Sequence, residues 1–561
     1  MTSALAQAAR LDRFLGDSAS TGGVIRDADT LALDQASGFP GQAVDALDGW
    51  GLHRAYVPVR YGGELADLLT PMLSIRHLAR RDLTVAVAHG KTFLGAVCAW
   101  VDGGDMAQHM ASIVLDGAPV SWGLTESGRG SDLMRSSTRF DPERRRLDGG
   151  KWPVNNATRG RAMCVLARTG EEYGPRSMSL VLADKSEMGP TGYTYEPKVR
   201  THGVRGADIS GIRWDDARVP EGRLVGQPGY GLEIVLRSLQ LTRPSCTALS
   251  LGAADRAVAE VRGFMASRSA NGGRLRDVPV ARVEAGSIYA DALLAEATSL
   301  VGARHVGALP GEMALVSGLV KFVVPATVDD LFRDATRFLG ARSQIVGPRG
   351  AALFEKAARD NRVVGIFDGN SVVNLHAIIN QFPVVAKSPL AAEPDARSIA
   401  GQLDPGVDVL PLDLDGLRLV ARRGSTLIHA VQALVEAVRP GVNAPFARAL
   451  EVYAIATAAL LRDVAALPRT ASPGLVHFDA ARRLAYVFAG ACCLSLLVQS
   501  GAPSGLARGT EWAHAALARV SQRLGHALDD ADAAYADLCV AADEMVAPGV
   551  VVSLLGGWLD G

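Results

Sequence analysis

Two short stretches of this 561-residue chain combine residue types that could do chemistry. The first is Gly123-Leu124-Thr125-Glu126-Ser127-Gly128-Arg129-Gly130-Ser131-Asp132. Its glycines let backbone approach a ligand closely, while Thr125, Ser131 and exposed N–H groups offer hydrogen bonds to a polar ring edge or a phosphate. The same composition also suits a plain turn between strands. The second is Val363-Val364-Gly365-Ile366-Phe367-Asp368-Gly369-Asn370-Ser371. One carboxylate sits there in an otherwise apolar run, just before a helix start. Asp368 reads either as an N-cap or as a general base whose pKa burial between Ile366 and Phe367 would raise. Residue types alone leave both pairs of readings open.

The elements that must position these stretches follow from periodicity. Between Thr21 and about Val114, apolar residues recur at helical spacing, as from Leu68 to Arg81. Thr70-Pro71 suggests an N-cap followed by Pro at the first helical position. The stretch from Val57 to Gly63 must be a loop. From about Val120, short apolar runs such as Met163–Ala167 and Met178–Ala183 alternate with Gly, Pro, Asn and Asp clusters. That is the pattern of a small antiparallel β domain ending near Arg223. Gly229-Tyr230-Gly231 then leads back to helical spacing, through about Gln381. Residues 384–415 carry Pro389, Pro394, Pro405 and Pro411 and read as a linker. Further helices are expected at Leu417–Val438, Pro445–Ala466, Asp479–Gln499 and Gly509–Met545. The expected plan is mainly α with a central small β domain. Its parts are an N-terminal helical domain (1–118), a middle β domain (119–225), a helical bundle (226–383), a linker (384–415) and a C-terminal helical extension (416–561).

Composition narrows the function classes. Hydrophobic residues make up 48% and charged residues 21%, and the formal net charge is -1, so no general pull toward nucleic acid is encoded. Arg144, Arg145 and Arg146 lie beside Asp141, Glu143 and Asp148, as at a solvated hairpin tip. Six scattered cysteines with no CxxC pair give neither a metal site nor a disulfide framework, and a cytoplasmic setting fits. Met1–Arg13 lacks a basic flank followed by an apolar core and does not read as a signal peptide. The apolar run Leu484–Gln499 would span only about 24 Å as a helix, so a buried core helix is expected there.

Several motifs in a fixed order carry a resemblance. Thr125-Glu126-x-x-x-Gly130-Ser131-Asp132 resembles the Thr-Glu-Pro-x-x-Gly-Ser-Asp loop of acyl-CoA dehydrogenases. Val57-Pro58-x-x-Tyr61-Gly62-Gly63 is similar to a loop near the start of that family. Gly203-Val204-Arg205-Gly206 and Val219-Pro220-x-x-x-Leu224-Val225-Gly226 resemble the end of its β domain. Thr242-Arg243-Pro244, Arg359-Asp360 and Ile366-Phe367-Asp368-Gly369-Asn370-Ser371 continue the order, so the similarity runs over roughly residues 50 to 383.

The resemblance implies a helical domain, a β-barrel-like domain and a helical bundle, with an added C-terminal helical domain similar in layout to that of the very-long-chain enzymes. It implies FAD and α,β-dehydrogenation of an acyl thioester carried on coenzyme A or an acyl carrier protein. Asp368 would abstract the proton and hydride would pass to flavin N5. Leu124, Thr125, Ser131, Asn155, Arg268, Arg337, Asn370 and Ser371 would lie on the cofactor side. Ser131, Gln240, Arg243, Phe367 and Gly369 would lie on the substrate side, and no metal is implied. The electron acceptor would be an electron-transfer flavoprotein or oxygen, and the assembly a homodimer.

Departures from the family pattern leave other readings open. Asp368 stands where Glu is usual, which shortens the side chain by one carbon–carbon bond, roughly 1.5 Å. Pro153-Val154-Asn155 occupies the family's Trp-Ile-Thr positions, with the tryptophan moved to Trp152 or lost. Arg337 stands where Gln is usual, Ala341 replaces a Gly, and the Arg-x-x-Phe-Gly element is reduced to Arg268-Ser269-Ala270-Asn271-Gly272. A related flavin monooxygenase or oxidase, or a non-catalytic flavin-binding relative, is therefore the alternative.

Overall fold

The computed structural model describes residues 3–189, 191–270, 272–347, 351–386, 395–404, 406–407, 410–498, 505–547 and 549–556. Contacts gather the chain into two compact units. One holds Asp17–Ala66 and Asp82–Thr242, the other Met1–Gly16, Asp67–Arg81 and Arg243–Gly561. The first hundred or so residues, read from sequence as one helical segment, thus contribute to both units.

The first unit is built on an eight-stranded sheet. The strands run in the order Tyr193–Glu196, Ile209–Arg218, Arg146–Asn155, Arg139–Asp141, Ala162–Arg168, Met178–Asp184 and Leu224–Val225, and Val120–Gly123 pairs beside Ala162–Arg168. The sheet is mixed rather than antiparallel throughout. Val120–Gly123 runs parallel to Ala162–Arg168, and Arg139 pairs parallel with Arg168. The long return through residues 124–161 makes this possible, because parallel neighbours need a crossover that a tight hairpin cannot supply. Phe140, Leu147, Val165, Val181, Ile212 and Trp214 form the core beneath the sheet. The helix Leu83–Asp102, capped by Asp82 through the Thr84 N–H, packs on the first strand. At Gly95 a Cβ would sit 2.5 Å from the Val120 carbonyl oxygen, so that contact requires glycine.

The second unit is helical. Its long members are Gly231–Ser267 (from Arg243 onward), Pro279–Ala308 and Met313–Leu339, joined by Leu475–Val498, Glu511–Arg523 and Ala531–Met545 from the C-terminal extension. The extension is packed into the bundle at close range. At Gly286 a Cβ would lie 1.8 Å from the Tyr535 carbonyl oxygen. Buried Asp291 takes an Arg523 guanidinium at 2.9 Å and pairs with Arg519 as well.

Four sequence expectations change here. The cap of the helix Leu69–Arg81 is Asp67, whose carboxylate accepts from the Thr70 N–H at 2.8 Å and the Thr70 hydroxyl at 2.9 Å. Residues 384–415 include the helix Ala396–Leu403, which packs on Leu475–Val498 (other parts of that stretch lie outside the described residues). The expected helix Gly509–Met545 breaks between Arg523 and Ala531, where Gly525 adopts φ +91° and stops the first half. The apolar run begun at Leu484 belongs to a helix starting at Leu475. At 24 residues it is, like three others among the described residues, long and apolar enough to cross a membrane, yet 78% of its apolar window is buried.

Candidate active site

Within the helical unit, the chain between Asn361 and Ser371 forms a tight series of turns before the helix Ser371–Ile379. Asp368 sits at its centre with φ +55°, the left-handed region that non-glycine residues rarely adopt. Gly369 follows at φ +94°. Two consecutive residues of that kind need outside support. Lys321, 2% exposed in the middle of Met313–Leu339, provides it. Its ammonium donates to the carbonyls of Val364 at 2.6 Å, Phe367 at 2.8 Å and Gly369 at 3.5 Å, and lies 5.3 Å from the centre of the Phe367 ring.

Two residues of the helix Gly231–Ser267 reach the same turn. Arg243 donates from Nε to the Asp368 carbonyl at 3.3 Å, and the Cys246 thiol donates to Asp368 Oδ2 at 3.2 Å. Burial lowers the Arg243 guanidinium to about 10 against the opposing pull of Asp368, which leaves it cationic at neutral pH. The Asp368 side chain itself is half-buried. An oriented, half-buried carboxylate beside a cation can serve as a proton acceptor.

Asp368 does not cap the helix. Asn370 does, its Oδ1 accepting from the Val373 N–H at 3.0 Å. Asp368, Arg243, Phe367 and Gly369 are therefore brought together, with Asn370 and the exposed Ser371 leading away into the helix. Gln240 is buried earlier on the helix Gly231–Ser267. Arg268 is exposed beyond the end of that helix, 6.0 Å from the Phe264 ring centre. Arg337 is 74% exposed, bonds Asp334 at 2.7 Å, and lines a cavity of about 530 Å³ with Glu284, Arg519 and Tyr535.

Within the β unit, the glycine-bearing loop is anchored at one end and open at the other. Glu126 is buried under it and accepts from Lys151 Nζ at 2.8 Å, from the Ser136, Ser137 and Thr138 hydroxyls, and from the Ser137 and Thr138 N–H groups. Burial would raise that carboxyl, but Lys151 and these donors outweigh it and hold it well below the usual carboxylate range. The carbonyls of Leu124 and Thr125 accept from Lys151 Nζ at 3.3 Å and the Trp152 N–H at 2.9 Å. Ser131 is exposed, and at Gly128 and Gly130 a Cβ would meet nothing within 4 Å.

Asn155 bonds the Val87 carbonyl through its amide nitrogen, while its Oδ1 is buried with no partner among the described residues. The Trp122 indole N–H is in the same position. Each such orphan costs roughly 1–3 kcal/mol, and a ligand with polar ring edges would remove that cost. The loop and these two side chains fit such a group. Trp152 is half-buried beside Gly211.

Sequence reasoning missed three residues here: Lys321, Lys151 and Cys246. A lysine among Val316, Leu319, Val320, Phe322 and Val323 was a visible signal, since lysine is almost never fully buried without partners. Cys246 carried no comparable sign.

Residues 121–217 match the family model for the acyl-CoA dehydrogenase middle domain, and residues 229–382 match that for the acyl-CoA dehydrogenase C-terminal domain. The resemblance read from the motifs is thus carried by these two domain segments. It is 28% identical over 230 residues to the probable acyl-CoA dehydrogenase FadE25 of Mycobacterium tuberculosis, a match covering 40% of this chain and 58% of that protein's length. In fold it resembles an acyl-CoA dehydrogenase from Bacillus anthracis solved with FAD, with TM-score 0.71 and 17% identity over 97% of this chain and 89% of that one. It also resembles the prolyl acyl carrier protein oxidase AnaB, with TM-score 0.60 and 18% identity over 68% of this chain and 99% of that one. The likeness to the Bacillus structure takes in the C-terminal extension, and the expected mainly helical architecture with a small sheet and added helices holds.

Proposed function

We propose that this chain is an FAD-dependent dehydrogenase of acyl thioesters, with Asp368 as its base. The observation that carries the reading is the turn at Asp368. A half-buried carboxylate is held at φ +55° by Lys321 and Arg243, inside the segment matching the family's C-terminal domain. Strained backbone of this kind gathers at functional sites and persists only where its surroundings over-determine it.

Asp368 would take the acidic proton from the carbon next to the thioester carbonyl. The Asp368 N–H would meet the thioester oxygen as negative charge develops there. The electrons of the broken C–H bond become the new α,β double bond. Bound FAD would supply the two-electron acceptor for the hydride that leaves the β-carbon. Leu124, Thr125, Ser131 and Asn155 would hold its ring side, with Arg268 and Arg337 candidates for its phosphate or adenine end. Arg337 would have to exchange its bond to Asp334 for such a contact. Phe367 and Gly369 would border the acyl group. Coenzyme A and an acyl carrier protein both fit the thioester chemistry, as do an electron-transfer flavoprotein and oxygen as acceptors. A cytoplasmic homodimer completes the proposal.

The test is spectroscopic. Purified protein should be yellow with bound flavin, and anaerobic mixing with a panel of acyl-CoA and acyl-carrier thioesters should bleach it. A colourless protein that cannot be loaded with FAD would overturn the cofactor assignment. A yellow protein that no thioester bleaches, but that consumes oxygen with a reductant, would favour the monooxygenase reading.

A further inference from the structure

We infer that Cys246 is a positioning residue for the base, with its thiol fixing the direction of the short Asp368 carboxylate. The inference rests on Asp368 being the base. The backbone around Asp368 is already held: Lys321 ties down the carbonyls of Val364, Phe367 and Gly369, and Arg243 bonds the Asp368 carbonyl. What backbone anchors do not determine is rotation about the side-chain torsions of Asp368, and those torsions decide where its oxygens point. The Cys246 thiol acts on that freedom directly, with Sγ 3.2 Å from Oδ2.

Cys246 is well placed for this. It is 4% exposed and lies one helical turn after Arg243 on the same helix, so the two side chains share a face. Arg243 reaches the Asp368 carbonyl, and Cys246 reaches the carboxylate. A thiol is a weak donor. Its bond orients one carboxylate oxygen. Aspartate has fewer torsions than the glutamate it replaces, so one added contact fixes more of its geometry. A misplacement of about 1 Å can cost on the order of 100-fold in rate.

The variants are Cys246→Ala, Cys246→Ser and Asp368→Ala, each as the FAD-loaded full chain. Anaerobic bleaching is followed at saturating thioester over a pH series, and the S–H stretch of the thiol is recorded by infrared spectroscopy. Cys246→Ala should bleach about tenfold more slowly at neutral pH, with half-saturation by thioester unchanged and the midpoint of the pH profile displaced. Cys246→Ser, which keeps a donor, should restore the rate to within about twofold of wild type. The S–H band assigned by its loss in Cys246→Ala should shift in Asp368→Ala, and in the wild type should move with pH at the same midpoint as bleaching.

Cys246→Ala bleaching at the wild-type rate with the same midpoint would overturn the positioning role. So would equal losses in the alanine and serine variants. If Asp368→Ala bleaches as fast as wild type, the base assignment itself fails. A slow Asp368→Ala beside an unaffected Cys246→Ala leaves the base standing and removes only Cys246.

Discussion

The two loops that the sequence singled out use the same support for opposite ends. Each lies over a buried lysine, Lys151 in the β unit and Lys321 in the helical unit. Lys151 bonds a carboxylate, Glu126, which also receives three hydroxyls and two backbone amides. Lys321 bonds main-chain carbonyls of the turn, and the carboxylate of that turn remains half-buried beside a thiol. In one loop the acid serves as an anchor and the open residues are glycines and hydroxyls. In the other the lysine holds the backbone, and the acid meets a thiol. A carboxylate in a glycine-bearing loop is therefore informative only once its partners are known.

The sharpest way to break this contrast is to remove each acid in turn. Asp368→Ala should slow thioester-driven bleaching by roughly 100- to 10,000-fold while shifting the thermal midpoint by only a few degrees. Glu126→Ala leaves Lys151 buried without its carboxylate and should cost about 3–5 kcal/mol of stability, read as a large drop in the midpoint. If Asp368→Ala proved the unstable variant and Glu126→Ala the stable one, the assignment of roles would be reversed.

The lysines sharpen the point. Lys321→Met strands the carbonyls of Val364 and Phe367, each an orphan costing about 1–3 kcal/mol. It also frees a turn whose geometry must hold within about 1 Å, so bleaching should fall on the order of 100-fold. A variant that folds and bleaches at the wild-type rate would show that the turn needs no such clamp.

How much of this was legible follows the same division. Periodicity placed the long helices and the β region, because a period of 3.6 or 2 is a property of the chain itself. The order of motifs pointed to Asp368, Arg243 and the loop at Thr125 together. Pairings between distant residues were not legible. Lys321 meets Val364 across forty-three positions and Cys246 meets Asp368 across 122, and nothing local to either partner encodes the meeting. The cap at Thr70 failed for a different reason. Asp67 and Thr70 offer competing side-chain oxygens within a few residues, and only backbone direction decides between them.

A third buried acid tests whether burial or the cation sets the carboxylate's state. Glu312 is 4% exposed and accepts from the Thr426 N–H at 3.0 Å and from the Thr426 hydroxyl. Its donors resemble those of Glu126, but no lysine bonds it among the described residues. Burial raises it from an ordinary 4.5 to about 7, against the bonds from Thr426 and the more distant charge of Arg423. The folded state then holds a proton that the unfolded chain has released between those two values. Stability must fall as pH rises from 4.5 to 7, by at most about 3 kcal/mol. Thermal midpoints of wild type and Glu312→Gln across that window should converge at low pH if this is right, with the variant relatively more stable near pH 7.5. A constant difference across the series would mean that Glu312 is ionised throughout, and that a cation is not what separates it from Glu126.

The smallest effect concerns Asn370, two residues past the base. Its Oδ1 satisfies the Val373 N–H, one of the free donors of the first helical turn, and this fixes where the strained turn ends and the helix begins. Asn370→Ala should cost about 1 kcal/mol, and Asn370→Asp should recover most of it because aspartate caps equally well and adds a favourable charge at a helix N-terminus. Bleaching should change only modestly in both, since Lys321 and Arg243 still hold the turn from its other side. The family resemblance instead puts Asn370 on the cofactor side. If Asn370→Ala released flavin while its thermal midpoint in the flavin-free protein stayed at the wild-type value, the side chain would serve the cofactor and the cap would be incidental. If both alanine and aspartate variants held flavin normally and differed only in stability, the residue's work is to end the turn on which Asp368 depends.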